Sequence, residues 1–133
     1  SAACTMEILS CDPDGQYAII MGGPVSYSCC SGLVSVNISS FIFQNDGASI
    51  LSSPSNPATM IGQPTTCPSG NFSATKSIAG GCTESYTLTG SFTGPNTWTG
   101  TYTLGFVGQQ CDCFGGILGT PCVNQVFGIT AMR

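Results

Sequence analysis

Nine cysteines in a chain of 133 residues that contains no histidine carry most of the chemistry this sequence can offer. They stand at Cys4, Cys11, Cys29, Cys30, Cys67, Cys82, Cys111, Cys113 and Cys122. Thiols can attack, ligate metal or pair. Attack needs a base beside the sulfur, and without histidine no evident base exists for a Cys or Ser nucleophile. Zinc ligation favours paired Cys-x-x-Cys spacing, whereas this chain has only the Cys29-Cys30 doublet and Cys111-Asp112-Cys113. Pairing into disulfides remains, and such bridges persist in oxidising compartments. Near neighbours rarely bridge each other at good geometry, so Cys29 and Cys30 must reach different partners, as must Cys111 and Cys113. An odd count pairs eight internally and leaves one over. Cys4, close to the chain end, is the one expected to be free or to bridge to another molecule.

The carboxylates are few: Glu7, Asp12, Asp14, Asp46, Glu84 and Asp112. Two acids can in principle run glycoside hydrolysis, but these fall mostly in turns or beside cysteines. Asp12-Pro13-Asp14-Gly15 resembles the opening of a calcium loop, and Asn45-Asp46-Gly47 adds oxygens. An EF-hand loop also needs another ligand before its glycine and a distal glutamate, which are missing. Turn formation explains both segments better. The expectation is no metal, no cofactor, no catalytic residue and no enzyme.

Lys76 and Arg133 are the only cations, so a phosphate-neutralising surface cannot be built and nucleic acid is an unsuitable partner. Charged residues make up 6% of the chain, against about 25% in ordinary soluble domains. Little like-charge repulsion then opposes self-association. No apolar run approaches the ~18 residues of a membrane span; the longest is Tyr17 to Met21. Ser1-Ala2-Ala3-Cys4 has the small residues of a secretory cleavage region, so the expectation is an extracellular protein secreted after signal-peptide removal. Asn37-Ile38-Ser39 and Asn71-Phe72-Ser73 are glycosylation sequons, which makes Asn37 and Asn71 candidate carriers of attached glycans.

What must position these groups is β structure. The 18 glycines and 8 prolines leave no window of helical periodicity. Strands are predicted at Thr5–Leu9, Gln16–Met21, Val25–Cys29, Leu33–Phe43, Ala48–Leu51, Ala58–Ile61, Asn71–Ile78, Ser85–Thr93, Thr97–Val107 and Val123–Met132, with Ser52–Pro68 the main irregular stretch. Residues 1–133 read as one all-β domain, a disulfide-stapled antiparallel sandwich or barrel without significant helix.

The firmest local pattern runs from Ser85 to Leu104. Tyr86, Leu88, Phe92, Trp98, Tyr102 and Leu104 occupy one parity; Thr87, Thr89, Ser91, Thr93, Thr97, Thr99, Thr101 and Thr103 occupy the other. A three-residue loop Gly94-Pro95-Asn96 sets Phe92 against Trp98, Gly90 against Gly100 and Leu88 against Tyr102. Asn45-Asp46-Gly47 predicts a second hairpin, and the parity change after Ile38 predicts a bulge near Ser39-Ser40. Gln16–Met21 and Val126–Met132 are apolar on both faces, which suits central strands or a subunit contact. The Thr87, Thr89, Thr97, Thr99, Thr101 and Thr103 ladder resembles the threonine rows of insect-type ice-binding proteins over this hairpin alone.

These features together predict a non-enzymatic extracellular structural protein whose partners are copies of itself. Assembly through β-strand contacts would give a filament, pilus-like subunit or surface layer, with Thr5–Leu9 or Val123–Met132 available for strand addition. The alternative is a secreted β-barrel or sandwich that binds an apolar small molecule around Trp98, Tyr102, Phe92 and Phe106, a carbohydrate, or an ice surface.

Overall fold

The computed structural model describes residues 11–133. Nine strands run in the order β1 (Gly15–Met21), β2 (Val25–Cys29), β3 (Val34–Gln44), β4 (Ser49–Pro54), β5 (Met60–Gly62), β6 (Asn71–Ile78), β7 (Thr83–Phe92), β8 (Thr97–Val107) and β9 (Gln125–Met132). Short 3-10 turns at Cys30–Gly32 and Gln109–Asp112 are the helical elements of this region. The predicted strand at Thr5–Leu9 lies outside the described residues.

Successive hairpins carry the chain from β3 to β9, and β1 closes the circle between β9 and β3. The sandwich-or-barrel alternative is thereby resolved as an eight-stranded antiparallel barrel, with β2 as a ninth strand on β3. β1 and β2 lie end to end along β3. Gly15 to Ala18 pair with Phe43 to Ser40; Ala18, Ile19 and Met21 then pair with Met132, Ala131 and Thr130 of β9. After Gly22-Gly23-Pro24 the chain returns, and Val25 to Cys29 pair with Ile38 to Val34. The predicted irregularity in β3 is present as a register shift between Ile38 and Ser40.

β7 and β8 pair in the register the alternation dictates: Phe92 with Trp98, Gly90 with Gly100, Leu88 with Tyr102. Their apolar parity faces inward. An eight-stranded barrel is just wide enough for its own side chains to fill, and here they do. Trp98, Tyr17, Tyr102, Phe41, Phe43, Leu88, Leu104 and Ile50 are essentially fully buried. Trp98 lies at the centre of the aromatic cluster, with ring centroids at 5.2 Å from Phe72, 5.6 Å from Phe43, 5.9 Å from Phe41 and 6.0 Å from Tyr17. Tilted and edge-on pairs of this kind add about 0.5–1.5 kcal/mol each beyond area burial. Gly90 makes room for the Phe72 ring, and Gly100 for the close approach of the β7 backbone. A Cβ on Gly90 would stand 2.6 Å from Phe72 Cζ, and one on Gly100 would stand 2.4 Å from the Thr89 carbonyl oxygen.

Candidate functional site

The cysteines sort by the ends of the barrel. Cys11 bonds Cys67 at one end, where the chain also places the Asn45–Gly47 turn, the Gly94–Asn96 loop and Arg133. At the opposite end Cys29 bonds Cys122, Cys30 bonds Cys113 and Cys82 bonds Cys111. The 29–30 doublet and the 111/113 pair each send their bridges to separate partners. Cys4 lies outside the described residues. Cys29, Cys30 and Cys122 have sulfurs close enough to frame a metal. All three sulfurs are consumed in disulfides, which lack the thiolate character a metal requires.

At the Cys11 end the two aspartate-rich segments meet. Ligand oxygens of Asp12, Asp14 and Asp46 lie within 4.8 Å of one another. Their hydrogen bonds give them structural work. Asp14 accepts from the backbone N–H of Asp46 at 3.1 Å and of Gly47 at 2.9 Å, while Asp12 accepts from the N–H of Asp14. One carboxylate therefore fastens the β3–β4 turn, whose Asn45, Asp46 and Gly47 all have positive φ. Of the remaining acids, Glu84 accepts from the Tyr86 hydroxyl, Asp112 lies exposed in the second 3-10 turn, and Glu7 is outside the described residues.

Arg133 is the residue that sequence reasoning missed here. Its guanidinium donates to the carbonyl oxygens of Asp14 and Pro95, each at 2.6 Å, and to Asn96 Oδ1 at 3.2 Å. The other cation, Lys76, is exposed on β6, whose contact with β5 is confined to Ala74 and Thr75. A lysine on such an open edge opposes pairing with another chain.

The outer wall carries hydroxyls in rows over β6 to β9. Asn71, Ser91, Thr99 and Thr130 form one row across four strands; Ser73, Thr89 and Thr101 form the next, ending at Gly128; Thr75, Thr87 and Thr103 form a third, ending at Val126. Lateral hydrogen bonds join Ser91 to Asn71, Thr75 to Thr87 and Thr99 to Thr130. The two-strand ladder of the sequence is thus three strands wide, and four at Thr130, because β6 continues each row and β9 adds one hydroxyl, which their own short patterns do not announce. A shallow hollow of about 460 Å3 runs along it between Met21 and Thr99, Thr101 and Thr130. Both sequon asparagines are exposed. Asn71 Oδ1 accepts from Ser91, and a glycan would attach at the other side-chain atom, Nδ2.

Trp98, Tyr102, Phe92 and Phe106, considered above as the lining of an apolar ligand cavity, pack into the barrel's own core. The apolar outer residues of β1 and β9, among them Ile20, Met21, Val126 and Met132, are exposed. β9 is bonded to β8 on one edge and to β1 on the other. The β1 pairing covers only Thr130–Met132, so residues 125–129 keep one edge without a strand partner among the described residues. No helix of the described residues is long and apolar enough to cross a membrane.

Compared with protein-family models, with curated proteins and with solved structures, the chain matches none.

Proposed function

We propose that this protein is a non-enzymatic extracellular structural subunit that associates with copies of itself. One observation carries the reading: the barrel is packed solid with its own side chains, so function falls to its surface. That surface is nearly uncharged, and it exposes Ile20, Met21, Val126 and Met132 on one wall and further apolar side chains at the three-disulfide end. Low charge leaves little repulsion between copies. Four disulfides suit an oxidising compartment, and secretion, with glycans on Asn37 or Asn71, belongs to the same proposal. The eight described cysteines bond one another, so a bridge formed by Cys4 would run to another molecule.

Sedimentation velocity over a concentration series, with negative-stain microscopy of the native material, tests the reading. Association tighter than about 1 mM is expected. A single non-associating species throughout overturns it. Non-reducing electrophoresis should show a dimer that reduction or Cys4→Ser abolishes.

The hydroxyl rows favour a second reading, a neutral polar binding face. Neighbouring strands rotate by about 20–25°, so four strands cannot present one plane. A carbohydrate chain can follow that curve better than an ice face can. Thr99→Lys with Thr101→Lys should abolish adsorption to an insoluble polysaccharide; adsorption that survives the change excludes this face.

A further inference from the structure

We infer that the three-disulfide end of the barrel is a symmetric contact between two copies of this chain. The inference rests on the self-association proposed above and assigns it to a surface.

Between Cys113 and Cys122 the chain reads Phe114-Gly115-Gly116-Ile117-Leu118-Gly119-Thr120-Pro121. Both ends of this loop are tied down, Cys113 to Cys30 and Cys122 to Cys29, and Cys82–Cys111 pins the turn before it. Backbone bonds hold the apex: Leu118 N–H donates to the Cys113 carbonyl, Gly119 N–H to Gly116, and Cys30 N–H to Thr120. A braced loop of this kind loses little conformational freedom when it is covered, which is the cost that usually weakens loop contacts.

The braced loop holds apolar side chains out in water. Ile117 is 85% exposed and Phe114 54%, with Leu118 38%. Leu33 (73%), Val107 (72%) and Val123 (57%) stand at the same end. At roughly 100 Å2 for a fully exposed aliphatic side chain and about 150 Å2 or more for Phe114, these six together offer on the order of 400 Å2 of apolar surface. A monomer's largest apolar patch is about 300–600 Å2, and a standard interface buries about 800 Å2 per partner. The patch is thus the right size for the core of a dimer contact, with Thr120, Pro121 and Ser31 to supply its rim.

Shape points to a second copy as the occupant. Beside the Ile117 knob is a hollow of about 260 Å3, lined by Leu33, Val34, Phe114, Leu118 and the bridged cysteines. A two-fold contact needs a surface that is its own complement. A projecting side chain next to a hollow on one face meets that need, because Ile117 of each copy can enter the hollow of the other. Charge does not oppose it: from Val107 to Val123 the chain carries only Asp112, and Glu84 is the acid that lines the hollow.

The test uses the full chain, with Cys4→Ser in every sample so that no covalent bridge masks a weaker contact. Sedimentation velocity compares this parent with Ile117→Asp, which would set an acid against Glu84 of the other copy, with Leu33→Asp on the hollow's rim, and with Ile61→Asp on β5 as a distant control. Each altered residue is more than half exposed, and an unchanged melting temperature verifies the fold. A dimer in the parent, weakened at least tenfold in Ile117→Asp and Leu33→Asp and unchanged in Ile61→Asp, supports the assignment. Equal association in all four overturns the assignment and leaves self-association standing. A parent that stays single overturns the assignment, and self-association then stands only if the unsubstituted chain still associates through Cys4. A parent that stays single yet sediments with phosphatidylcholine vesicles through Ile117 makes the patch a lipid contact and also overturns the assignment.

Discussion

The guanidinium of Arg133 lies 5.1 Å above the ring centroid of Tyr17, while the Tyr17 hydroxyl donates to the Pro13 carbonyl at 2.6 Å. The cation therefore covers the last aromatic layer of the barrel. It also ties together three segments far apart in sequence through Asp14, Pro95 and Asn96. Replacing Arg133 by Ala should cost about 1–3 kcal/mol, the sum of charge-assisted hydrogen bonds and a cation–π contact at a partly solvated site. Arg133→Lys should recover only part of it, because a single ammonium cannot reproduce the planar fork. Chemical denaturation with the disulfides intact measures both.

Alkaline pH should open the core. Burial pushes the Tyr17 phenol up to about 12; Arg133 pulls it back, and Asp14 and Asp12 add to the rise. Burial also raises Tyr86 and Tyr102, and the hydrogen bond to Glu84 raises Tyr86 further. In the unfolded chain a phenol ionises near about 10. The folded state thus holds these protons more tightly, so the stability they contribute is complete below about pH 10 and is lost as pH rises through 12. Melting temperature should fall above about pH 10, with tyrosinate absorbance and loss of the fold appearing together. Full tyrosinate absorbance in a still-folded protein at pH 11 would contradict this.

Two glycines on neighbouring strands should respond in opposite ways. At Gly100 an added methyl meets the Thr89 carbonyl, so Gly100→Ala should cost about 1–3 kcal/mol through overpacking. At Gly128 nothing lies within 4 Å of the added carbon, and Gly128→Ala should stay within about 0.5 kcal/mol. Thermal melts of the two variants decide the matter directly.

Bridges should differ by the chain they enclose. Cys29–Cys122 spans 93 residues and Cys82–Cys111 spans 29. In the chain-entropy account the first stabilises by about 4–5 kcal/mol and the second by about 3–4. Paired Cys→Ala variants should keep that order in denaturation midpoints. Loss of Cys82–Cys111 should in addition admit chymotrypsin at Phe114, whose loop would then be less firmly held.

The walls of this fold were largely legible in its residues, and the closure was not. Strict alternation from Tyr86 to Leu104 dictates both the inward face and the β7–β8 register, and the Asn45-Asp46-Gly47 signal dictates the β3–β4 turn. Those are local patterns, each contained in about twenty residues or fewer. That β1 leaves β3 at Ala18 to join β9 depends on how seven other strands tilt, which no short window records. Disulfide partners have the same non-local origin. Arg133 was unreadable for another reason: a lone terminal cation has no period, and its partners are backbone carbonyls that any sequence supplies. The Phe114 to Leu118 apex was visible as letters, but its exposure follows from the three bridges that hold it clear of the core.

The way β1 straddles β3 and β9 makes the order of synthesis matter. The ribosome delivers the first wall of the cylinder early and the strand that completes it last, so a nascent or truncated chain is an unrolled sheet with both flanks bare. Chain loss before Gln125 should therefore yield sticky, chaperone-dependent material, whereas an internal substitution on the wall would leave a closed molecule.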